Sequence, residues 1–201
     1  MRMETRLQIL PDERFSALRA GFDERLSGLG GLLSPANFSS FLDAVMRDVL
    51  HSGFARAAAH EGSVWLLDEK HEHLAIAHNT GPNAARLIGD FKQPLNTGLI
   101  SLVVASEQPL CENRMRENAL QDKSLDQKLG LVTCAMLATP FSFGCRMRGV
   151  ISCVQLTRAE LNEPEPAGFS LDHLRALQFT AATLSRLIDQ RLLMLAIGRE
   201  K

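Results

Sequence analysis

Residues 62–81 run GSVWLLDEKHEHLAIAHNTG, and this stretch decides the fold. Two short apolar runs, 63–68 (SVWLLD) and 73–79 (HLAIAHN), flank the charged stretch 69–72. Runs of this length around a polar turn predict an antiparallel β-hairpin, because β-branched and aromatic side chains suit a pleated, half-buried surface while the charges stay in water. Trp65, the single Trp of the chain, lies in the first run and is expected to be buried.

Upstream of the hairpin the apolar period is helical. Asp12 follows Pro11 as a cap, and Phe15, Leu18, Phe22, Leu26 and Leu29 recur at steps of three and four, predicting a helix over 12–29 that Gly28, Gly30 and Gly31 end. Ser34-Pro35 is a second start signal, and Phe38, Phe41, Leu42, Val45, Val49 and Leu50 form the stripe of a second helix that stops near Ser52-Gly53. Residues 1–33 are thus a helical extension in front of a domain over 34–201.

Downstream, a helical turn is expected near 83–88 and a short strand at 91–95. The run GLISLVVAS at 98–106 suits helix or strand equally. Residues 112–130 are polar with scattered Leu and Met, which predicts a loop with one short helix. Two more strands, 133–141 and 147–156, surround the tight connection 142–146. A helix from about 171 to 197 closes the chain, its seam Leu174, Leu177, Ala181, Leu184 and Ile188 stepping by three and four.

Composition narrows the function classes. Of 201 residues, 45% are hydrophobic and 22% charged, and 22 Lys and Arg against 23 Asp and Glu leave a net charge of −1. That balance supplies no electrostatic footprint for nucleic acid or an anionic membrane. The N-terminus has no apolar signal core, and no apolar run approaches the roughly 20 residues that span a bilayer. Cys111, Cys134, Cys145 and Cys153 contain no C-x-x-C pair, so zinc-knuckle and thioredoxin motifs are absent. A cytoplasmic protein with reduced thiols is expected.

Three stretches together resemble a GAF domain: the hairpin 62–81 with its closing glycine; PLNTGLISLVVASEQPLCEN at 94–113, similar to a Gly-opened helix followed by a Gln-Pro-hydrophobic strand; and CAMLATPFSFGCRMRGVISCVQL at 134–156 with FSLDHLRALQFTAATLSRLI at 169–188, similar to the last hairpin and closing helix. The resemblance implies an α+β, profilin-like fold. Its antiparallel sheet of five or six strands carries the terminal helices on one face and a ligand pocket under loops on the other. It implies a sensory or regulatory module, usually serving an output domain, whose ligand the fold alone does not fix.

Subfamily motifs are mostly missing. Where cyclic-nucleotide binders carry Asn-Lys, then a Phe followed by Asp-Glu, this chain has Thr157-Arg158, Phe169 and His173-Leu174. The absence of any Tyr, and of an Asp-Ile-Pro-type tripeptide, argues against bilin. Free methionine-(R)-sulfoxide reductases place their nucleophile in Gly-Val-Cys-Gly; the matching tetrad is Gly98-Leu99-Ile100-Ser101, with Ile100 in the thiol's place and Cys111 in the next strand.

His71 and His73 alternate on one strand face, but two histidines without a third ligand make a weak metal site, and a solvated turn is the plainer reading. His78, with Leu74 and Ile76 on its face by alternation, is expected as a core or pocket-rim histidine, without support for haem. Cys145, flanked by Arg146 and Arg148, is a candidate redox thiol together with Cys111, since nearby cations favour the thiolate. Cys134 and Cys153 stand on neighbouring strands and would face each other in a suitable register.

The expected pocket lies between the sheet and the segments 97–106 and 111–131, with Trp65, His78, Asn79, Ser101, Asn113, Met115 and Cys134 as its lining. The expected function is a GAF-type regulatory module that binds an unidentified small molecule or partner protein. It would be a homodimer through its terminal helices, with a separate output protein and no named cofactor. The alternatives are a thiol-dependent reductase of the methionine sulfoxide type and a dimeric adaptor without ligand.

Overall fold

The structure, a computed structural model, describes residues 13–158 and 163–196. Six strands, β1 (Glu61–Leu67), β2 (His73–Asn79), β3 (Lys92–Pro94), β4 (Leu110–Glu112), β5 (Leu131–Phe143) and β6 (Arg146–Arg158), form one sheet in the order β3-β2-β1-β6-β5-β4. Every neighbouring pair is antiparallel. Helices α1 (Glu13–Gly30), α2 (Phe38–Phe41), α3 (Ala44–Arg56) and α7 (Leu171–Ala196) precede and follow the sheet strands, while α4 (Ala84–Leu87), α5 (Gly98–Ser106) and α6 (Ser124–Leu129) interrupt them. The α+β sheet expected from the sequence is the observed one.

Alternation along the strands makes two cores. Val64, Leu66, Leu137 and Ile151 point to one face and pack with Leu50, Leu177, Leu184 and Ile188 of α3 and α7. Trp65, Leu74, Ile76 and Val150 point to the other and pack with Ile100 and Val103 of α5. The uniformly apolar run 98–106 is thus a helix, its N-terminus tied to β3 because Ser101 Oγ donates to the Pro94 carbonyl at 3.0 Å.

Three expectations on the helical side need correction. The helix starting at Ser34-Pro35 is two helices: Leu42 takes extended backbone (ψ 120°) and Asp43 caps α3, its side chain accepting the Met46 N–H at 2.8 Å. Val45, placed in the apolar stripe, is exposed. Gly53 does not end the helix, which runs on to Arg56. It is buried where α3 crosses α7, and a Cβ there would overlap the Thr180 hydroxyl, so the bare backbone sets the close crossing.

The end of α7 is also better covered than its apolar sequence suggests. Ile188 and Leu192 are buried, Leu187 and Leu193 are partly so, and Leu26 and Leu29 of α1 join the same core. Arg148 fastens α1 by donating from Nη2 to the Ser27 carbonyl at 2.7 Å. Residues 18–25 of α1, by contrast, are exposed on all sides, Leu18 at 60% and Phe22 at 53%. Asp12, the side chain of Phe15 and Ile197 lie outside the described residues. Among the described residues no helix is long and apolar enough to cross a membrane.

Candidate functional site

On the sheet face opposite α3 and α7, α5 and α6 roof a cavity of about 70 Å³. Its floor is built by register. Asn79 pairs with Ser63 and Ser63 with Ser152, so three small polar side chains stand in one row across β2, β1 and β6. Asn79 Nδ2 donates to Ser63 Oγ at 2.9 Å, and its Oδ1 accepts the Gly81 N–H at 2.8 Å. Trp65 Nε1 donates to Ser152 Oγ at 3.0 Å, and Phe91 meets the indole edge-on at 6.0 Å between ring centres. All three row residues are buried, a costly placement for polar groups unless they are hydrogen-bonded or in use.

The roof is latched by Asp126. Its Oδ2 accepts the Thr133 N–H at 2.8 Å and Gln121 Nε2 at 3.0 Å, while its Oδ1 accepts Thr133 Oγ at 2.7 Å. These bonds seat α6 on the start of β5. Gln93 holds the other side, donating from Nε2 to the Thr97 carbonyl at 2.8 Å and Ser101 Oγ at 3.0 Å. At the cavity's edge burial pushes the Glu61 carboxyl above its ordinary pKa, against a hydrogen bond from Asn79 and the nearby His60.

Of the residues expected to line the pocket, Trp65, Asn79 and Met115 do so; His78, Ser101, Asn113 and Cys134 are elsewhere. Ser101 is engaged with Pro94 and Gln93. Asn113 is a clasp: its Oδ1 accepts the Phe169 N–H at 2.7 Å and its Nδ2 donates to the Phe169 carbonyl at 2.9 Å, fixing the approach to α7.

His78 and Cys134 are displaced by one cause. Val64 pairs with His78 but Trp65 with Ile76, so Ala77 is an extra residue in β2. Thr133 pairs with Leu156 but Ala135 with Gln155, so Cys134 is an extra residue in β5. Each β-bulge reverses the alternation beyond it. His78 therefore shares the face of Val64 rather than that of Leu74 and Ile76. There it is buried with Nε2 unpartnered among the described residues, and burial, with His51 and Arg47 adding repulsion, pushes its pKa down to about 4. Cys134 lies 3.5 Å from Thr157 Oγ and 3.8 Å from an Arg116 guanidinium nitrogen.

The thiols are not activated as the flanking charges suggested. Cys145 sits at a left-handed turn position (φ 59°) with Sγ 3.6 Å from Asp23 Oδ1. Burial, Asp23 and Asp189 raise its pKa against the pull of Arg19. Cys111, opposite Leu137 on β5, turns away from the cavity to within 3.8 Å of the Phe169 carbonyl, and burial and then Glu112 raise its pKa. Cys153 pairs with Leu137, not Cys134, and the four cysteines are free. A raised thiol pKa means less thiolate at neutral pH. Cys111 and Cys145 should therefore alkylate more slowly than a free thiol, and Cys134 and Cys153 only after denaturation; rapid labelling of either exposed thiol at neutral pH would contradict this. His73, of the two histidines at the first hairpin, has its Nδ1 3.1 Å from Asp68 Oδ2.

Alternation along single strands could have marked Ser63 and Ser152 as polar positions on a buried face. Glu61, Gln93 and Thr133 were missed because only cross-strand register and the roof bring them to the cavity.

No protein-family model and no curated protein matches the chain. Solved structures do. The GAF domain of a phosphoenolpyruvate-protein phosphotransferase from Coxiella burnetii superposes with a TM-score of 0.54 at 16% identity, covering 76% of this chain and 96% of that one. The GAF-B domain of DevS from Mycobacterium smegmatis gives 0.53 at 19% identity, over 75% and 96%. The free methionine-R-sulfoxide reductase of Neisseria meningitidis, solved with its substrate, gives 0.52 at 12% identity, over 92% and 98%.

Proposed function

From a chain that has the GAF-domain fold, we infer a regulatory module that binds a small ligand in the cavity under α5 and α6 and acts as a homodimer. The observation that carries the ligand reading is the buried row Asn79–Ser63–Ser152 beneath a roof held by side-chain hydrogen bonds. A cavity of about 70 Å³ is far below the several hundred Å³ of a drug-sized pocket. A nucleotide or tetrapyrrole would require α6 to lift, whereas a molecule of a few heavy atoms needs only modest movement. Native mass spectrometry of the protein, followed by analysis of what denaturation releases, tests the reading. A stoichiometric small molecule, or a saturable change in Trp65 emission with a metabolite, is expected. An empty protein that responds to no small molecule leaves the adaptor without ligand.

The reductase reading has less support. Among the described residues no cysteine lines the cavity, and Ile100 occupies the nucleophile's place. No thiol-dependent consumption of free methionine sulfoxide is expected; turnover abolished by Cys111→Ser would restore the enzyme.

For the homodimer, the supporting surface is the uncovered half of α1. Antiparallel pairing of two copies about the midpoint of Gly21 and Phe22 would set Phe22 against the open backbone of Gly21 and Arg19 against Glu24. That self-complementarity is what a two-fold contact requires. Leu18→Asp with Phe22→Asp should leave the circular dichroism unchanged and convert the protein to a 22.2 kDa species in sedimentation; wild type already at that mass at micromolar concentration would sink the dimer.

A further inference from the structure

Glu61, Asp122 and Asp126 line the cavity, and among the described residues no Lys, Arg or His side chain does. Asp126 is engaged in the latch, but the other two have capacity left. Asp122 accepts the Ser124 N–H through Oδ1 alone. Glu61 lies over Gly81, where a Cβ would overlap its carboxylate, and among the described residues neither carboxylate has a Lys or Arg ion-pair partner. A ligand charge of the same sign would be repelled by these carboxylates, which His60 beside Glu61 offsets only in part, whereas a cation would be drawn to them.

The floor adds an independent requirement. Ser63 and Ser152, 8% and 3% exposed, each accept one hydrogen bond, from Asn79 and from Trp65. Neither hydroxyl proton has an acceptor among the described residues. A hydroxyl both accepts and donates, so two neighbouring buried O–H donors face the cavity with their donor capacity unused. They call for an uncharged oxygen acceptor on whatever fills the space, in addition to a positive group for the carboxylates.

Resting on the reading that this cavity takes a ligand, we propose that the ligand is a small organic ammonium compound bearing a neutral oxygen acceptor, an amino alcohol or amino amide in chemical class, and that anionic ligands are refused. The ammonium group sits between Glu61 and Asp122, and the oxygen accepts from Ser63 and Ser152. The volume of the cavity keeps the molecule to a few heavy atoms unless the roof moves.

The test uses the full chain and four probes of similar size: ethanolamine, glycinamide, ethylene glycol and glycolate, at constant ionic strength, with Trp65 emission and thermal shift as readouts. Molecules this small bind weakly at best, so dissociation constants of about a millimolar are expected for the two ammonium probes. Ethylene glycol and glycolate should bind at least about tenfold more weakly. Glu61→Gln and Asp122→Asn, checked for native circular dichroism, should each weaken the ammonium probes by about tenfold, while Glu69→Gln in the exposed first hairpin turn should change nothing. Glycolate or ethylene glycol binding as tightly as ethanolamine overturns the ligand class but leaves the cavity as a binding site. So does an unchanged affinity in both carboxylate variants. Failure of all four probes, with nothing released from native protein, overturns the class together with the ligand-binding reading.

Discussion

Gly149→Ala is expected to destabilise the protein by about 4 kcal/mol and to lower its melting temperature by about 10 °C. Gly149 is opposite Leu66 where β1 and β6 run side by side at the centre of the sheet. A methyl group there would overlap the Trp65 carbonyl oxygen and crowd the Leu66 Cα. Those neighbours are backbone atoms and cannot turn aside as a flexible side chain would. The two central strands must part, which disturbs the ladder between them and the packing of Trp65 on one face and Leu66 on the other. A melting temperature within about 2 °C of wild type would mean that the strands approach less closely than described.

Leu184→Asp and Ile188→Asp should unfold the chain, each by about 4 kcal/mol or more. Both side chains have no exposed surface and stand in the core between α7 and the sheet, with Leu137, Phe141 and Phe143 in the same cluster. An aspartate there loses its hydration without gaining a cation. The apolar seam of α7 suggests a dimer contact when viewed as sequence, yet the sheet of the same chain already occupies it. Loss of the circular dichroism signal and of cooperative urea unfolding would show the effect. A folded monomer carrying either substitution would instead place these residues at a surface between copies.

Much of the architecture was legible because its periods are strong. Residues 63–67 of the first run and all of its partner 73–79 lie within strands of the first hairpin, and the seam from Leu174 to Ile188 is the buried stripe of α7. Legibility failed where two signals competed. Ser34-Pro35 looks like a helix start, but Asp43 nine residues later is the cap that closes on a backbone N–H. GLISLVVAS is apolar on every side, so no period distinguishes helix from strand; Gly98 at φ +76° and the bonds among Pro94, Gln93 and Ser101 settle it. In the site, Trp65, Asn79 and Met115 were within reach of position along the chain. The row through Ser63 and Ser152 was not, because it exists only once three strands have taken their register. Asn113 and Ser101 are polar in the right segments, yet Asn113 bonds to backbone and Ser101 to backbone and Gln93, a distinction that residue type does not carry.

The two bulges make the identity of the cavity wall depend on strand register as well as on side-chain chemistry. Ala77 does not line the cavity, and yet the bulge it makes is what lets Asn79 face the cavity and holds His78 behind the sheet. Plain alternation through the same residues, with no bulge, would exchange an amide for an imidazole at the polar row, whereas deleting Ala77 would absorb the bulge and leave Asn79 opposite Ser63 and His78 opposite Val64. The same arithmetic holds at Cys134, whose insertion decides that Thr133 and Met136, three positions apart, look the same way. In such a sheet a new binding chemistry lies one shift of register away, and chains aligned column by column across a bulge would be compared back to front.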